Sequence, residues 1–303
     1  MGKTAFIFPG QGAQVCGMGQ DFYENSETAK AVFDRATELL GFSVPELCFE
    51  KNDRLDITEY TQAAMVTTSV AMMKVMEERG IHADVAAGLS LRPELAYGDF
   101  SFHPLADDAI RTVRERGILM QEAVPAGVGG MSAVLGMTAD EINAVVDEIP
   151  NVQVANYNCP GQIVISGLKE AVETAAVKLK EAGARRVIPL NVSGPFHSYL
   201  LEEAGEKLGK FLENIPVSEP VIPYVANVTA AYVTKAEDVK PLLTRQVSSS
   251  VRWQQSVETM LADGVDRFIE IGPGKTLAGF IRKINREATV INIEKFDDLE
   301  KLN

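Results

Sequence analysis

The sequence predicts an α/β protein: a body built on a largely parallel sheet, interrupted by a small β-α-β-β-α-β unit of the ferredoxin-like kind. Three observations carry this expectation. Short apolar runs (Thr4–Phe8, Asp84–Gly88, Arg267–Ile271) are separated by helical patterns, which is how parallel strands and their crossover helices read in a chain. The first of these, Thr4–Phe8, reads as a short buried strand. Between residues 127 and 192 the rhythm changes to strand-helix-strand-strand-helix-strand within about 65 residues.

Thr4–Phe8 ends in Pro9-Gly10-Gln11-Gly12, where two glycines permit a tight turn that presents backbone amides. Helical patterns follow at Ala29–Leu40 and Thr61–Arg79, the second closed by Gly80. Asp84–Gly88 then delivers the chain to Leu89-Ser90-Leu91, and another helix is expected from Leu105 to Gln121. Inside the small unit, Met131–Leu135 reads as a strand, and Thr138-Ala139-Asp140-Glu141 as a capping box opening a helix. Val152–Tyr157 and Gln162–Ser166 are strands about an Asn158-Cys159-Pro160-Gly161 turn. Leu168–Ala182 is amphipathic and ends at Gly183; Val187–Val192 closes the unit. Beyond it lie an irregular helical region, a strand at Val221–Val225, a helix near Val257–Ala262 and the strand Arg267–Ile271. Gly272-Pro273-Gly274-Lys275 lacks the GxxxxGK[ST] spacing of a phosphate loop and reads as a plain strand-to-helix turn. The expected division is therefore 1–126 with 193–303 as the body and 127–192 as the insert.

Composition narrows the function. The 303 residues carry 29 Lys+Arg against 42 Asp+Glu, a formal charge of −13. That balance argues against nucleic-acid binding, which depends on cations meeting phosphates. No run approaches a membrane span, and the apolar stretch at the N-terminus is too short for a secretory signal. Cys16, Cys48 and Cys159 form no CxxC pair and no disulfide framework, so a reducing, cytoplasmic setting is expected. No metal-ligand cluster is apparent.

Ser90 follows a short strand and precedes an expected helix. A serine so placed is either a nucleophile in a sharp strand-to-helix turn or a helix N-cap. G-L-S-L meets the first positions of GxSxG, but Arg92 stands where the last glycine belongs. A serine nucleophile needs a base, and the chain has three histidines: His82, His103 and His197. His82 precedes the Ser90 strand at its far end, and His103 lies in a loop beside Pro104. His197 sits after Ser193-Gly194-Pro195-Phe196, where the chain re-enters the body, and clefts form at such junctions.

Seven stretches then fall in register: Phe8 to Gln14 (FPGQGAQ), Gly88-Leu89-Ser90-Leu91, Arg116-Gly117 before Met120-Gln121-Glu122-Ala123, Asn156 to Gly167 (NYNCPGQIVISG), Ser193 to His197 (SGPFH), Arg245-Gln246, and Glu270 to Gly274 (EIGPG). In this order the chain resembles, over nearly its whole length, the malonyl-CoA:acyl carrier protein transacylases of type II fatty acid synthesis. The resemblance implies an α/β-hydrolase-like body, with Ser90 as the malonyl-carrying nucleophile and His197 as its general base. It also implies an oxyanion hole from the backbone amides of Gln11 and Leu91, Arg116 on the malonyl carboxylate, and the main-chain carbonyl of Gln246 orienting the histidine. Malonyl-CoA and acyl carrier protein are the implied partners, and no cofactor is implied.

The family's usual Ser-Leu-Gly-Glu-Tyr becomes Ser90-Leu91-Arg92-Pro93-Glu94 here, and the resemblance lapses over residues 92–107. A frame change in the coding sequence and a genuine divergence are both open, and the intact mass distinguishes them. A serine (thio)esterase and a catalytically impaired carrier-binding homologue are the alternative functions.

Overall fold

The structure is a computed structural model that describes residues 2–90, 105–125, 127–192 and 194–302. Its first sheet has six strands: β1 Lys3–Phe8, β2 Val85–Gly88, β7 Tyr224–Ala226, β8 Ala231–Val233, β9 Val265–Ile271 and β10 Thr289–Ile293. They are ordered β10-β9-β1-β2-β7-β8, with every pairing parallel except the terminal β7–β8. The central β1 explains why its sequence does not alternate. Phe6 and Phe8 enter one apolar cluster, with Phe22, Phe33, Met65 and Met72, whereas Ala5 and Ile7 enter another, with Trp253, Phe268 and Leu277. Successive side chains point to opposite faces, and helices cover both.

Two helices on the first face matter for the site. The helix α4, Thr58–Glu78, is buried over most of its length and has apolar residues all round. It packs against α5, Leu105–Ala123. The two backbones meet at Gly117, where a Cβ would lie 2.6 Å from the Glu59 Cα. The missing side chain sets this close crossing, and the residue before it is Arg116.

A second sheet takes all its strands from one continuous stretch: β3 Gly129–Leu135, β4 Val152–Cys159, β5 Gln162–Leu168 and β6 Arg186–Pro189. It is antiparallel throughout, in the order β4-β5-β3-β6. The helices α6 Ala139–Val146 and α7 Lys169–Glu181 pack on it through Ile142, Val146, Val172 and Leu179. The capping box at Thr138 and Glu141 forms in both directions. The sheets are stitched together where β4 meets the body: the Val251 amide donates to Ala155 O at 2.7 Å, and the Tyr157 amide donates to Val251 O at 2.9 Å.

Strand limits shift at prolines. The strand expected over 187–192 ends at Pro189, although the Leu190 amide still donates to Met131 O at 2.9 Å, and that expected over 221–225 begins only at Tyr224, after Pro223. A ring nitrogen cannot donate to a ladder. The Gly272–Lys275 turn leads from β9 into the helix α11, Thr276–Ile284. Glu270, on β9, is buried and accepts from the amides of Leu277 at 3.0 Å and Ala278 at 2.9 Å. Burial pushes its carboxyl up to about 7, against the stabilising pull of those two amides. The first turn of α11 thus serves a carboxylate of the chain itself.

Gly117→Ala is expected to destabilise the protein by about 1–3 kcal/mol, the typical cost of overpacking a tight contact. Urea unfolding should show a lower midpoint at unchanged slope.

Candidate active site

The strand β2 is made of small, buried residues, and its ladder continues past its end through the Leu89 amide, which donates to Phe8 O at 3.0 Å. Gly10 lies against this extension; a Cβ there would be 2.6 Å from Leu89 O. The turn after β1 and the end of β2 are thereby held together. Ser90 comes next with φ of 70°, a left-handed conformation that costs a non-glycine residue roughly 1–2 kcal/mol. Its amide donates to Asn227 Oδ1 at 2.7 Å.

His197 is also left-handed, with φ of 56°, and is 2% exposed. Its backbone is anchored on both sides: the Gln153 amide nitrogen donates to His197 O at 3.1 Å, and the Ser198 hydroxyl donates to Pro195 O at 2.7 Å. The ring lies between two partners, with Nε2 2.5 Å from Ser90 Oγ and Nδ1 3.0 Å from Gln246 O. A carbonyl can only accept, so Nδ1 carries the proton and Nε2 offers its lone pair to the serine hydroxyl. Burial, then the nearby Arg116 cation, depress the imidazole pKa to about 4, while hydrogen bonds to the backbone of Gln246 and Ser249 oppose the shift. The ring is therefore neutral at physiological pH.

Arg116 is 3% exposed. Its Nη1 donates to Gln62 Oε1 at 2.9 Å, and its Nη2 donates to Ser90 O at 3.3 Å. Gln62 in turn points its Nε2 at Met120 Sδ, 3.5 Å away. The guanidinium is thus tied to the serine's own carbonyl and braced from α4. Gln11 lies in the turn after β1, its side-chain nitrogen donating to Thr58 Oγ1 at 3.1 Å.

Ser90, His197, Arg116 and Gln11 line one cleft of about 610 Å³. Asn156 and Asn158 of β4 and Phe280 of α11 complete its walls, so both sheets contribute. Gln246 stands behind the histidine, 1% exposed. Leu91 and, of the divergent segment 92–107, residues 92–104 with His103 among them lie outside the described residues. His82 is exposed, before the opposite end of β2 from Ser90. Among the described residues no group of three or more His, Cys, Asp or Glu is placed to hold a metal ion, and no helix is long and apolar enough to cross a membrane.

Sequence reasoning passed over Gln62, Gln153 and Asn227. Gln62 left a trace: it is a long polar side chain within the apolar run of α4, where a buried amide needs partners. Asn227 follows an apolar strand and reads as an ordinary turn residue. Gln153 reads as a strand residue facing solvent. Only their distant partners identify them: Gln62 meets Arg116 54 positions away, Gln153 meets His197 44 away, and Asn227 meets Ser90 137 away.

The profile described as the acyl transferase domain matches residues 5–295. The malonyl CoA-acyl carrier protein transacylase of Bacillus subtilis (strain 168) is 44% identical over 308 residues, covering 99% of this chain and 96% of that protein. A crystal structure of the malonyl CoA-acyl carrier protein transacylase from Clostridium perfringens superimposes with a TM-score of 0.94 at 41% identity, covering 99% of this chain and 96% of the other. A malonyl-transacylase in complex with its type II polyketide synthase acyl-carrier protein gives a TM-score of 0.93 at 36% identity, covering 99% and 98%. The match spans nearly the whole chain at these identities, and the chain belongs to the acyl transferase domain family, among its malonyl CoA-acyl carrier protein transacylases.

Proposed function

We propose that this enzyme transfers the malonyl group of malonyl-CoA to the pantetheine thiol of acyl carrier protein through an acyl-serine intermediate, supplying fatty acid synthesis. The observation that carries the reading is the 2.5 Å approach of Ser90 Oγ to a neutral, buried His197, with the Arg116 guanidinium fixed beside the same serine. His197 Nε2 takes the proton as Ser90 Oγ attacks the thioester carbonyl. The resemblance assigns the tetrahedral oxyanion to the backbone amides of Gln11 and Leu91, and one amide donor in such a role is worth about 3 kcal/mol. The C–S bond then breaks, the imidazolium returns its proton to the departing sulfur, and malonyl remains esterified to Ser90. The carrier thiol repeats the sequence in reverse, giving up its proton to His197 and attacking the ester. Expelling a thiol (pKa about 8.5 for a free cysteine) needs less acid assistance than expelling an amine. A Ser–His pair steadied by the neutral carbonyl of Gln246 suits that demand.

Arg116 offers a planar fork to the malonyl carboxylate. Its bonds to Gln62 and Ser90 O hold that fork a fixed distance from the nucleophile. Exchange of an acyl group among an alcohol and two thiols changes no oxidation state, so the scheme calls for no redox cofactor. We assign 1–126 with 193–303 to an α/β-hydrolase-like body and 127–192 to a ferredoxin-like insert. The order of elements in the second sheet and its origin in a single stretch support that division. A cytoplasmic location goes with free thiols at Cys16, Cys48 and Cys159.

The direct test is transfer of radiolabelled malonyl from malonyl-CoA to holo carrier protein. Label on the wild-type protein and none on Ser90→Ala is expected; steady CoA release without a thiol acceptor would favour an esterase, and no label at all a silent carrier-binding protein. Arg116→Ala should lose roughly 10- to 100-fold in kcat/KM for malonyl-CoA, the worth of a charge-assisted contact, while acetyl-CoA is tolerated better. Because the base must be unprotonated, kcat/KM should fall on the acid side with an apparent pKa near 4, well below the usual imidazole value of 6.5. Arg116→Gln removes the neighbouring cation and should move that acid limb upward.

A further inference from the structure

Four contacts around the Ser90–His197 pair close on themselves. Ser90 Oγ meets His197 Nε2 at 2.5 Å, and His197 Nδ1 meets Gln246 O at 3.0 Å. The Gln246 side-chain nitrogen donates to Asn227 Oδ1 at 3.2 Å, and the same oxygen accepts the Ser90 amide at 2.7 Å. One atom, Asn227 Oδ1, therefore fixes both the backbone of the serine and the residue whose carbonyl orients the histidine. We propose that Asn227 is a positioning residue that closes this ring and thereby sets the separation and alignment of Ser90 and His197. The proposal rests on the reading of those two residues as nucleophile and base.

The fold explains why residue 227 can do this. The strands β2 and β7 run parallel in register, with Ala86 opposite Tyr224 and Ala87 opposite Val225. Both chains leave the sheet at the same end, and Asn227 follows β7 as Ser90 follows β2. The Asn227 backbone is fixed in its own right, its carbonyl accepting the Arg252 amide at 3.0 Å. Asn227 is 1% exposed, so its oxygen is shielded from bulk solvent. Both strained residues of the pair, each left-handed at φ of 70° and 56°, sit in the ring, and closure opposes their relaxation.

The chemistry of the amide also matters. A ring built from amides and an imidazole is neutral, and it leaves Arg116 on α5 as the charged neighbour acting on His197. A carboxylate at 227 would accept the same two N–H groups but would place a negative charge in the ring. That charge favours the imidazolium and makes the base harder to keep unprotonated. An aliphatic side chain of equal size would leave the Ser90 amide and the Gln246 side chain without their acceptor.

The test compares wild type, Asn227→Leu and Asn227→Asp by two readouts: steady-state malonyl transfer, and the rate at which a fluorophosphonate labels Ser90, which requires the Ser–His pair but no acyl-CoA. For Asn227→Leu, labelling and kcat should both fall roughly 10- to 100-fold, as loss of two buried hydrogen bonds predicts, with KM changed less than about threefold. Asn227→Asp should recover labelling to within about tenfold of wild type at high pH, with its acid limb displaced upward. A folded leucine variant labelled within about twofold of wild type, or a loss confined to KM, overturns the proposal. If the leucine variant does not fold, the aspartate variant decides: an acid limb identical to wild type overturns the proposal and an upward displacement supports it. Failure of the wild type itself to label would remove Ser90 as nucleophile, and this proposal with it; a labelled wild type beside an unimpaired leucine variant removes Asn227 alone.

Discussion

Ser90 must hold a left-handed backbone at the end of a buried parallel strand. That strained turn presents the hydroxyl to the cleft and turns the serine carbonyl toward Arg116, 3.3 Å away. A conformation costing roughly 1–2 kcal/mol persists only where its surroundings over-determine it. Here three elements do so: the turn after β1 against Leu89, the Asn227 side chain on the Ser90 amide, and the Arg116 guanidinium on the Ser90 carbonyl. Each belongs to a different segment of the chain, so the local geometry exists only once the sheet and its covering helices have assembled.

The same economy of parts explains the histidine. Among the described residues the partner behind His197 is a backbone carbonyl and not a carboxylate; that carbonyl fixes its tautomer, and burial beside a cation keeps it neutral. A carboxylate would stabilise the imidazolium more strongly, a benefit where a poor leaving group must be protonated. For thiol exchange the neutral partner is sufficient. On the proposed roles the histidine and the carboxylate clamp are linked by electrostatics: the cation that would hold malonyl adds to burial in lowering the proton affinity of His197.

The second sheet does more than wall the cleft. Its strand β4 supplies Asn156 and Asn158 to the lining, Gln153 to the backbone of His197, and a bridge to Val251 just beyond Gln246. A single strand therefore touches the cleft, the backbone of the proposed base and the segment that orients it. Any movement of this sheet against the body would reach the histidine directly through those bonds.

How much of this was legible in the sequence varies with the reach of each interaction. The buried strands, the Thr138 capping box, the strand-to-helix turn at Gly272–Lys275 and the change of rhythm after residue 127 follow from local pattern, because spacing and turn chemistry act within a few residues. The reactive pair needed more than local pattern: Ser90 read equally as a helix N-cap and His197 was one of three histidines until the order of seven motifs resembled the transacylases. What the sequence could not decide is how polar residues without distinctive local patterns are used. Gln62, Gln153 and Asn227 resemble any helix, strand or turn amide until partners far along the chain arrive, 137 positions away in the case of Asn227 and Ser90. Hydrogen bonds act over about 3 Å in space and leave no periodicity in sequence. The chemistry was therefore written in residue types and order, but its alignment was settled only by tertiary packing, which alone brings those donors and acceptors within reach.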